Sequence, residues 1–394
     1  MTDDPIIIAG YARTPMGGFQ GVLSAASAVD LGTVAVKAAV ERAGVAPGAI
    51  DRIYMGCVLP GGLGQAPARQ AALLAGLPQS VQATTVNKMC GSGMQATIMA
   101  AEALAAGTAD VIVAGGMESM TNAPFLMPKH RAGARIGHDV VLDSMMYDGL
   151  EDAYEKGKPM GAFAEETAGD YQFTRADQEA FAIESLRAAN AAITGGDFAD
   201  EVVPVTVKAR GGDVVVSADE QPPKAKPEKI PTLRPAFAKD GTITAATSAS
   251  ISDGAAALVL MRRSVAERMG LAQEAVIRAM AAHAHEPAKF TTAPVPAIRK
   301  VMDEAGWTVD DVDLFEVNEA FATVAMIAQR EIGIPREKLN VNGGATALGH
   351  PIGATGARII ATLVAALKKR GLKRGVAALC IGGGEATAVA VELV

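Results

Sequence analysis

Four side chains able to do chemistry stand where apolar runs end. Cys90 lies in Asn87-Lys88-Met89-Cys90-Gly91-Ser92-Gly93, just ahead of an alanine-rich helical stretch. Unpaired backbone N–H groups and the positive end of the helix dipole favour a thiolate there. The flanking glycines remove bulk and let a substrate reach the sulfur. Read alone, Cys90 fits a buried structural cysteine equally well. Asn318 follows the apolar run Leu314-Phe315-Glu316-Val317, with Glu319-Ala320-Phe321 opening a helix. His350 sits in a loop, 342–353, too glycine-rich for simple packing, and Cys380 closes an apolar strand ahead of Ile381 and three consecutive glycines. A nucleophile, a base and a second thiol, each beside backbone free to approach a ligand, make a purely structural reading of all four poor. Zinc ligation by Cys90, Cys380 and His350 is disfavoured because zinc sites draw on closely spaced ligand pairs. No metal is expected. Cys57, behind Gly56 at a strand end, reads as a small buried hydrophobe. His283 and His285 read as polar loop residues before Pro287.

The elements that must position these groups come in two copies. Residues 36–58 align without a gap on 298–320: Ala43-Gly44 meets Ala305-Gly306, and Ile50-Asp51 meets Val312-Asp313. Both copies read as an amphipathic helix, a glycine stop, a turn and a strand. A looser match follows in each half. Val86-Asn87 leads through a glycine-rich turn and a helix to the strand Val111–Ala114. Val341-Asn342 leads the same way, through a helix ending near Leu367, to Val376–Leu379. Two copies of an alternating unit imply an α/β fold with two similar mixed sheets. The helix Met94–Ala106 has apolar residues nearly all round, with Met and Ile on several faces, so it is expected to lie buried between the sheets and give five layers.

Residues 120–250 differ in composition and read as an inserted loop domain, a supplier of substrate-binding surface. His130-Arg131, Lys156–Pro159 and Gln221–Pro231 read as loop. A charged helix spans roughly Thr174–Ala192, opened by Thr174 and Asp177 as a cap. The expected boundaries are an N-terminal half over 1–119 that resumes at 251–272, the loop domain over 120–250, and a C-terminal half over 273–394.

The 394 residues suffice for two or three packed units, and 49% hydrophobic against 20% charged residues is ordinary globular composition. A net charge of −7 offers no basic surface for nucleic acid, so none is expected as a partner. Three widely spaced cysteines form no disulfide framework. The acidic start, without a basic or arginine-rich leader, and the lack of a membrane-length apolar run point to a cytoplasmic protein that does not engage membranes.

The segments around Cys90, Asn318-Glu319-Ala320-Phe321, Gly349-His350-Pro351-Ile352-Gly353 and Cys380-Ile381-Gly382-Gly383-Gly384 resemble the thiolase family in motif, order and spacing, over essentially the whole chain. The resemblance implies a five-layered αβαβα fold and a ping-pong acyl transfer between coenzyme A thioesters. Cys90 would be the nucleophile, His350 its base, and Cys380 the acid/base for the carbon proton. The resemblance also implies that His350 and a water held by Asn318 serve the enolate oxygen. The backbone N–H groups of Cys90 and Gly382 would serve the tetrahedral intermediate. Met160, Phe237, Ser248, Phe290, Ala320 and Phe321 would contact substrate. Acetyl-CoA and 3-ketoacyl-CoA would be substrates, coenzyme A entering only as substrate or product with no separate cofactor. A homodimer or homotetramer is implied as well.

Two segments depart from the short-chain biosynthetic thiolases. Their His-Met-Gly triplet is here Pro159-Met160-Gly161, and their Asn-Ala-Ser-Gly-Leu-Asn-Asp-Gly is here Thr247–Gly254, with the family serine falling at Ala249 between Ser248 and Ser250. Phe290 stands where that group has a methionine. Loss of a polar group and gain of a ring lead to an expected specificity for short to medium chains. Rival readings are a degradative 3-ketoacyl-CoA thiolase of broad chain length, a related ketoacyl or hydroxymethylglutaryl-CoA synthase, and a non-catalytic acyl-CoA or lipid carrier. Cys380 speaks against the synthases, and retention of all four reactive groups against the carrier.

Overall fold

Alternation of side chains along Ile6–Arg13 sends Ile7 to one buried face and Ile8 to the other, as a strand covered on both sides requires. This is β1 of a computed structural model that describes residues 4–394. After it come helix α1 (Ala28–Ala43), β2 (Arg52–Gly56), α2 (Pro67–Leu74), β3 (Gln82–Val86), α3 (Ser92–Ala105) and β4 (Val111–Ser119). Between β4 and the next long strand lie α4 (Met160–Asp170) and α5 (Arg175–Gly195). The chain then returns through β5 (Ser252–Arg262) to β6 (Ala275–Ala284), α6 (Pro294–Ala305), β7 (Leu314–Val317), α7 (Ala322–Ile332), α8 (Thr355–Arg370), β8 (Arg374–Ile381) and β9 (Glu385–Leu393).

The strand order is β7-β8-β9-β6-β1-β5-β4-β2-β3, with the two residues Gly17–Gly18 added beside β5. Here the structure corrects the sequence reading. The two half-sheets are one continuous sheet, joined where Ile7–Ile8 of β1 pair with Ala275–Val276 of β6. Each of these strands would otherwise leave an unpaired edge, and antiparallel pairing across the junction satisfies both. The repeat is otherwise evident. α1 and α6 both stop on a left-handed glycine, Gly44 at φ 68° and Gly306 at φ 69°, before equivalent strands β2 and β7. β2 pairs in parallel with β3, and the matching partner of β7 shrinks to a single parallel bridge between Phe315 and Leu339.

Packing gives five layers. α1 and α2 cover one outer face, α3 and α8 lie side by side in the centre, and α6 and α7 cover the other outer face. α3 does sit between the sheets, but it leaves Glu102 and Ala105 exposed. α8 is the more deeply buried of the pair, covered at every position from Thr355 to Leu367. Within it, Arg358 is paired across the core with Glu316 at 3.9 Å.

In the insertion, α5 opens with the expected capping box, Thr174 Oγ1 accepting from Asp177 N at 3.1 Å, an arrangement worth about 1 kcal/mol. Gln221–Pro231 is more ordered than a plain loop, containing the short helix Gln221–Lys224 and a 3₁₀ turn from Pro227. Its approach is fastened to β1 by a buried guanidinium. Arg13 Nε donates to Glu201 at 2.6 Å, and Nη1 and Nη2 donate to the two oxygens of Asp219 at 2.7 and 2.9 Å. All three side chains are essentially inaccessible, so removing Arg13 alone costs about 3–5 kcal/mol. No helix among the described residues is long and apolar enough to cross a membrane.

Candidate active site

The chain reverses between β3 and α3 through a turn whose backbone is strained. Met89 is held at φ 46°, a region costly for a residue with a side chain. Local hydrogen bonds hold it there. Asn87 Oδ1 accepts from Met89 N at 3.0 Å, while Ser92 Oγ accepts from Lys88 N at 2.8 Å and donates to Met89 O at 2.6 Å. Cys90 follows on the outside of the turn. Its glycine neighbours serve packing rather than substrate access, which corrects the sequence reading. A Cβ on Gly91 would come within 2.3 Å of Ile381, and one on Gly93 within 2.8 Å of the Ala357 nitrogen of α8.

Cys90, His350, Cys380 and Gly382 line one cavity of about 270 Å³. The same walls include Met160, Phe237, Ser248, Phe290, Ala320 and Phe321, so all six of the expected substrate contacts are brought together. Phe321 meets Phe237 and Phe290 edge to face, at centroid distances of 5.7 and 6.4 Å. Gly161 is needed for this arrangement, since a Cβ there would lie 2.4 Å from the Phe237 ring. A Cβ on Gly382 would meet Met160 Sδ at 3.2 Å, so glycine keeps this end of the cavity open. Asn318 is absent from the cavity wall. It is buried, and neither Oδ1 nor Nδ2 has a partner among the described residues.

His350 is oriented from behind. Its Nδ1 lies 2.6 Å from Thr355 Oγ1, and Thr355 Oγ1 donates to Pro351 O at 2.9 Å. With its one proton committed there, the hydroxyl can only accept from Nδ1–H, which leaves a lone pair on Nε2. Nε2 has no partner among the described residues. Burial, aided by the charge of Arg358, pushes the imidazole down to about 3, so the ring is neutral.

The thiols are raised, against the thiolate expected at a helix start. Burial pushes Cys90 up to about 11, opposed by the backbone N–H groups of Gly382 and of Cys90 itself. Desolvation outweighs the helix end because α3 begins only at Ser92, and Cys90 makes no capping contact. Cys90 is still the partly accessible one of the three, and its rise is the smallest. Burial and the nearby Cys90 hold Cys380 well above the usual thiol range. Cys57 is buried as expected, yet its thiol also faces the Glu118 carboxylate at 3.6 Å.

His283 proves to lie on β6, not in a loop, and its Nε2 is 3.4 Å from Nδ1 of His285. His285 Nε2 contacts Lys289 O at 2.8 Å, beside the turn that carries Phe290. Ser250 was missed. Ser248 Oγ is spent on Thr244 O at 2.9 Å, whereas Ser250 lines both the main cavity and a second pocket next to it. That second pocket carries Lys226 and Lys229.

Comparison with known proteins agrees with this geometry. Residues 6–264 match the model of the thiolase N-terminal domain and residues 271–393 that of the thiolase C-terminal domain. An acetyl-CoA acetyltransferase from Thiocystis violacea is 47% identical, over 99% of both chains. Acetyl-CoA acetyltransferase 2 of Arabidopsis thaliana is 49% identical, covering 98% of this chain and 97% of its own. The solved structure of an acetyl-CoA acetyltransferase from Syntrophomonas wolfei superposes with a TM-score of 0.96 at 39% identity, over 99% of this chain and all of that one. From end to end, this chain belongs to the thiolase family.

Proposed function

We propose that the chain is an acetyl-CoA C-acetyltransferase, condensing two acetyl-CoA to acetoacetyl-CoA and coenzyme A and cleaving short or medium 3-ketoacyl-CoA in reverse. One observation carries this reading. Two thiols and an imidazole with an unpartnered Nε2, among the described residues, share one cavity with Gly382. A neutral Nε2 takes the Cys90 proton as the sulfur attacks the thioester carbonyl. Because burial keeps the free thiol protonated, thiolate forms only together with attack. The backbone N–H groups of Gly382 and Cys90 would receive the oxyanion. Its collapse breaks the bond to the coenzyme A sulfur, and the leaving thiolate takes the proton back from His350 and departs as the thiol, with the acyl group left on Cys90. The thiol of Cys380 then exchanges the proton on carbon, as thiolate for condensation and as thiol for cleavage. Asn318, buried with an unpaired amide, is suited to hold a water toward the enolate oxygen beside His350.

Coenzyme A is read as threading from the cavity past Ser250 into the second pocket, where Lys226 and Lys229 in the lining would supply positive charge for its phosphates. This division of labour is the reading we give to the insertion at 120–250, with the halves at 1–119 plus 251–272 and 273–394 supplying the catalytic groups. Almost all of the acyl end is apolar: Met146, Leu150, Ile352, Phe237, Phe290 and Phe321. Each buried methylene is worth up to about 0.8 kcal/mol, which supports tolerance of chains beyond four carbons.

The thioester absorbance of acetoacetyl-CoA with added coenzyme A tests the activity; a carrier would leave it unchanged. Run with four-, six- and eight-carbon substrates, the same assay tests chain length. A kcat/KM that falls by less than roughly a hundredfold from four to six carbons is expected. A larger fall would mark a dedicated four-carbon enzyme.

A further inference from the structure

Glu118 is the penultimate residue of β4 and is fully buried. Among the described residues no positively charged side chain is bonded to it. Its carboxylate instead accepts backbone N–H groups from two separate loops: Val58 at 2.9 Å and Leu59 at 3.1 Å on one side, and Gly353 at 2.8 Å on the other. The thiol of Cys57 adds a fourth contact at 3.6 Å. The first loop places Leu59, and the second places Ile352 and, three residues before Gly353, His350. Leu59 and Ile352 pack in one apolar cluster that Cys90 and Met89 join.

The Gly353 peptide of the second loop is closely surrounded by backbone. A Cβ on Gly56, Gly93 or Gly116 would lie 2.5, 3.1 or 2.0 Å from the Gly353 carbonyl, and a Cβ on Gly353 would lie 2.5 Å from Glu118 Oε2. Three glycines of the N-terminal half therefore cradle one peptide of the C-terminal half, to which Glu118 bonds through its side chain. At the other end of this loop, His350 N donates to Ser250 O at 3.2 Å.

We propose that Glu118 is a positioning residue for the acyl transfer, one carboxylate that clamps the His350 loop of the C-terminal half to the Cys57–Leu59 loop of the N-terminal half and so sets the imidazole against Cys90. The inference rests on the roles given above to Cys90 and His350. Burial of an acid without a cationic partner is costly, and it pushes Glu118 up to about 7 against the pull of its three N–H donors. An isosteric amide would turn an NH₂ toward one of the loops. A shorter acid would keep the charge but lose the reach to both.

Glu118→Gln and Glu118→Asp test this, with Arg262→Ala as a control that loses stability where Arg262 bonds the Leu104 and Ala109 carbonyls, outside the cavity and the second pocket. Thiolysis of acetoacetyl-CoA is measured well below each melting temperature. Both Glu118 variants should lose about 10- to 100-fold in kcat, the effect of misplacing a catalytic group by about an ångström, with KM within about threefold of wild type. Arg262→Ala should melt earlier and keep wild-type kcat. Should Glu118→Gln not fold, Glu118→Asp decides alone. A Glu118→Asp enzyme with wild-type kcat would overturn the proposal. So would Glu118 variants that, like Arg262→Ala, merely melt earlier. Acetylation of Cys90 in the wild-type enzyme checks the underlying roles separately.

Discussion

The turn into α3 and the turn into α8 occupy matching places in the two halves of the repeat, yet they are built differently. The first is tight and strained: it spans only 87–91, holds Met89 at φ 46°, and presents a cysteine. The second is long and glycine-rich, running from Val341 to Ala354, and presents a histidine held by Thr355 from the first turn of the helix that follows. Duplication supplied the scaffold, and the chemistry sits where the copies diverge. Both turns face one cavity because α3 and α8 pack side by side in the central layer, starting from the same side. A nucleophile on one half and its base on the other must keep register across the junction between halves. The glycine contacts between Gly93 and α8 leave little room for slippage there.

Breaking the first turn's contribution should have the largest effect. Cys90→Ala should lose both acetylation by acetyl-CoA and condensation, by about 10⁴-fold or more. Acetyl transfer measured by loss of thioester from acetyl-CoA checks this, and near-normal transfer would move the nucleophile elsewhere. Cys380→Ala sharpens the comparison by removing a group that belongs to neither turn. Condensation should fall by roughly 10²–10⁴-fold while rapid acetylation of Cys90 survives, because only the carbon-acid step needs the second thiol. Loss of both steps together would mean that Cys380 also supports the first.

The second turn is tested more gently. Thr355→Val keeps the shape and removes the acceptor for Nδ1–H, so His350 loses its fixed tautomer and ring orientation. Acetylation should slow by roughly 10- to 100-fold, with KM for acetyl-CoA little changed. A wild-type rate would show that the loop backbone alone orients the ring.

These two turns were also the parts most legible in the sequence. Cysteine and histidine flanked by glycine at the ends of apolar runs are rare enough to notice, and the aligned helix–strand pairs announced the repeat. What supports them was hidden. Glu118 reads as one acid inside Gly116-Met117-Glu118-Ser119, and nothing local shows that its partners are backbone N–H groups from residues 58, 59 and 353. In α8, Arg358 and Thr362 are buried polar residues whose nearest polar groups, Glu316 at 3.9 Å and Glu201 at 3.2 Å, are distant in sequence. The joining of the half-sheets depends on a short antiparallel match at Ile7–Ile8, which no alternation pattern could distinguish from two separate edges. The helix-end argument for a Cys90 thiolate failed for a related reason. Sequence shows the helix but not the desolvation that outweighs it.

The central claim is that acyl transfer passes through a thioester on Cys90. Wild-type protein mixed with acetyl-CoA, quenched in acid and digested should yield the Cys90 peptide heavier by one acetyl group, and added coenzyme A before the quench should remove it. An acetyl group found on Cys380 or Cys57, or a stable ternary complex with no acetylated peptide at all, would contradict the account.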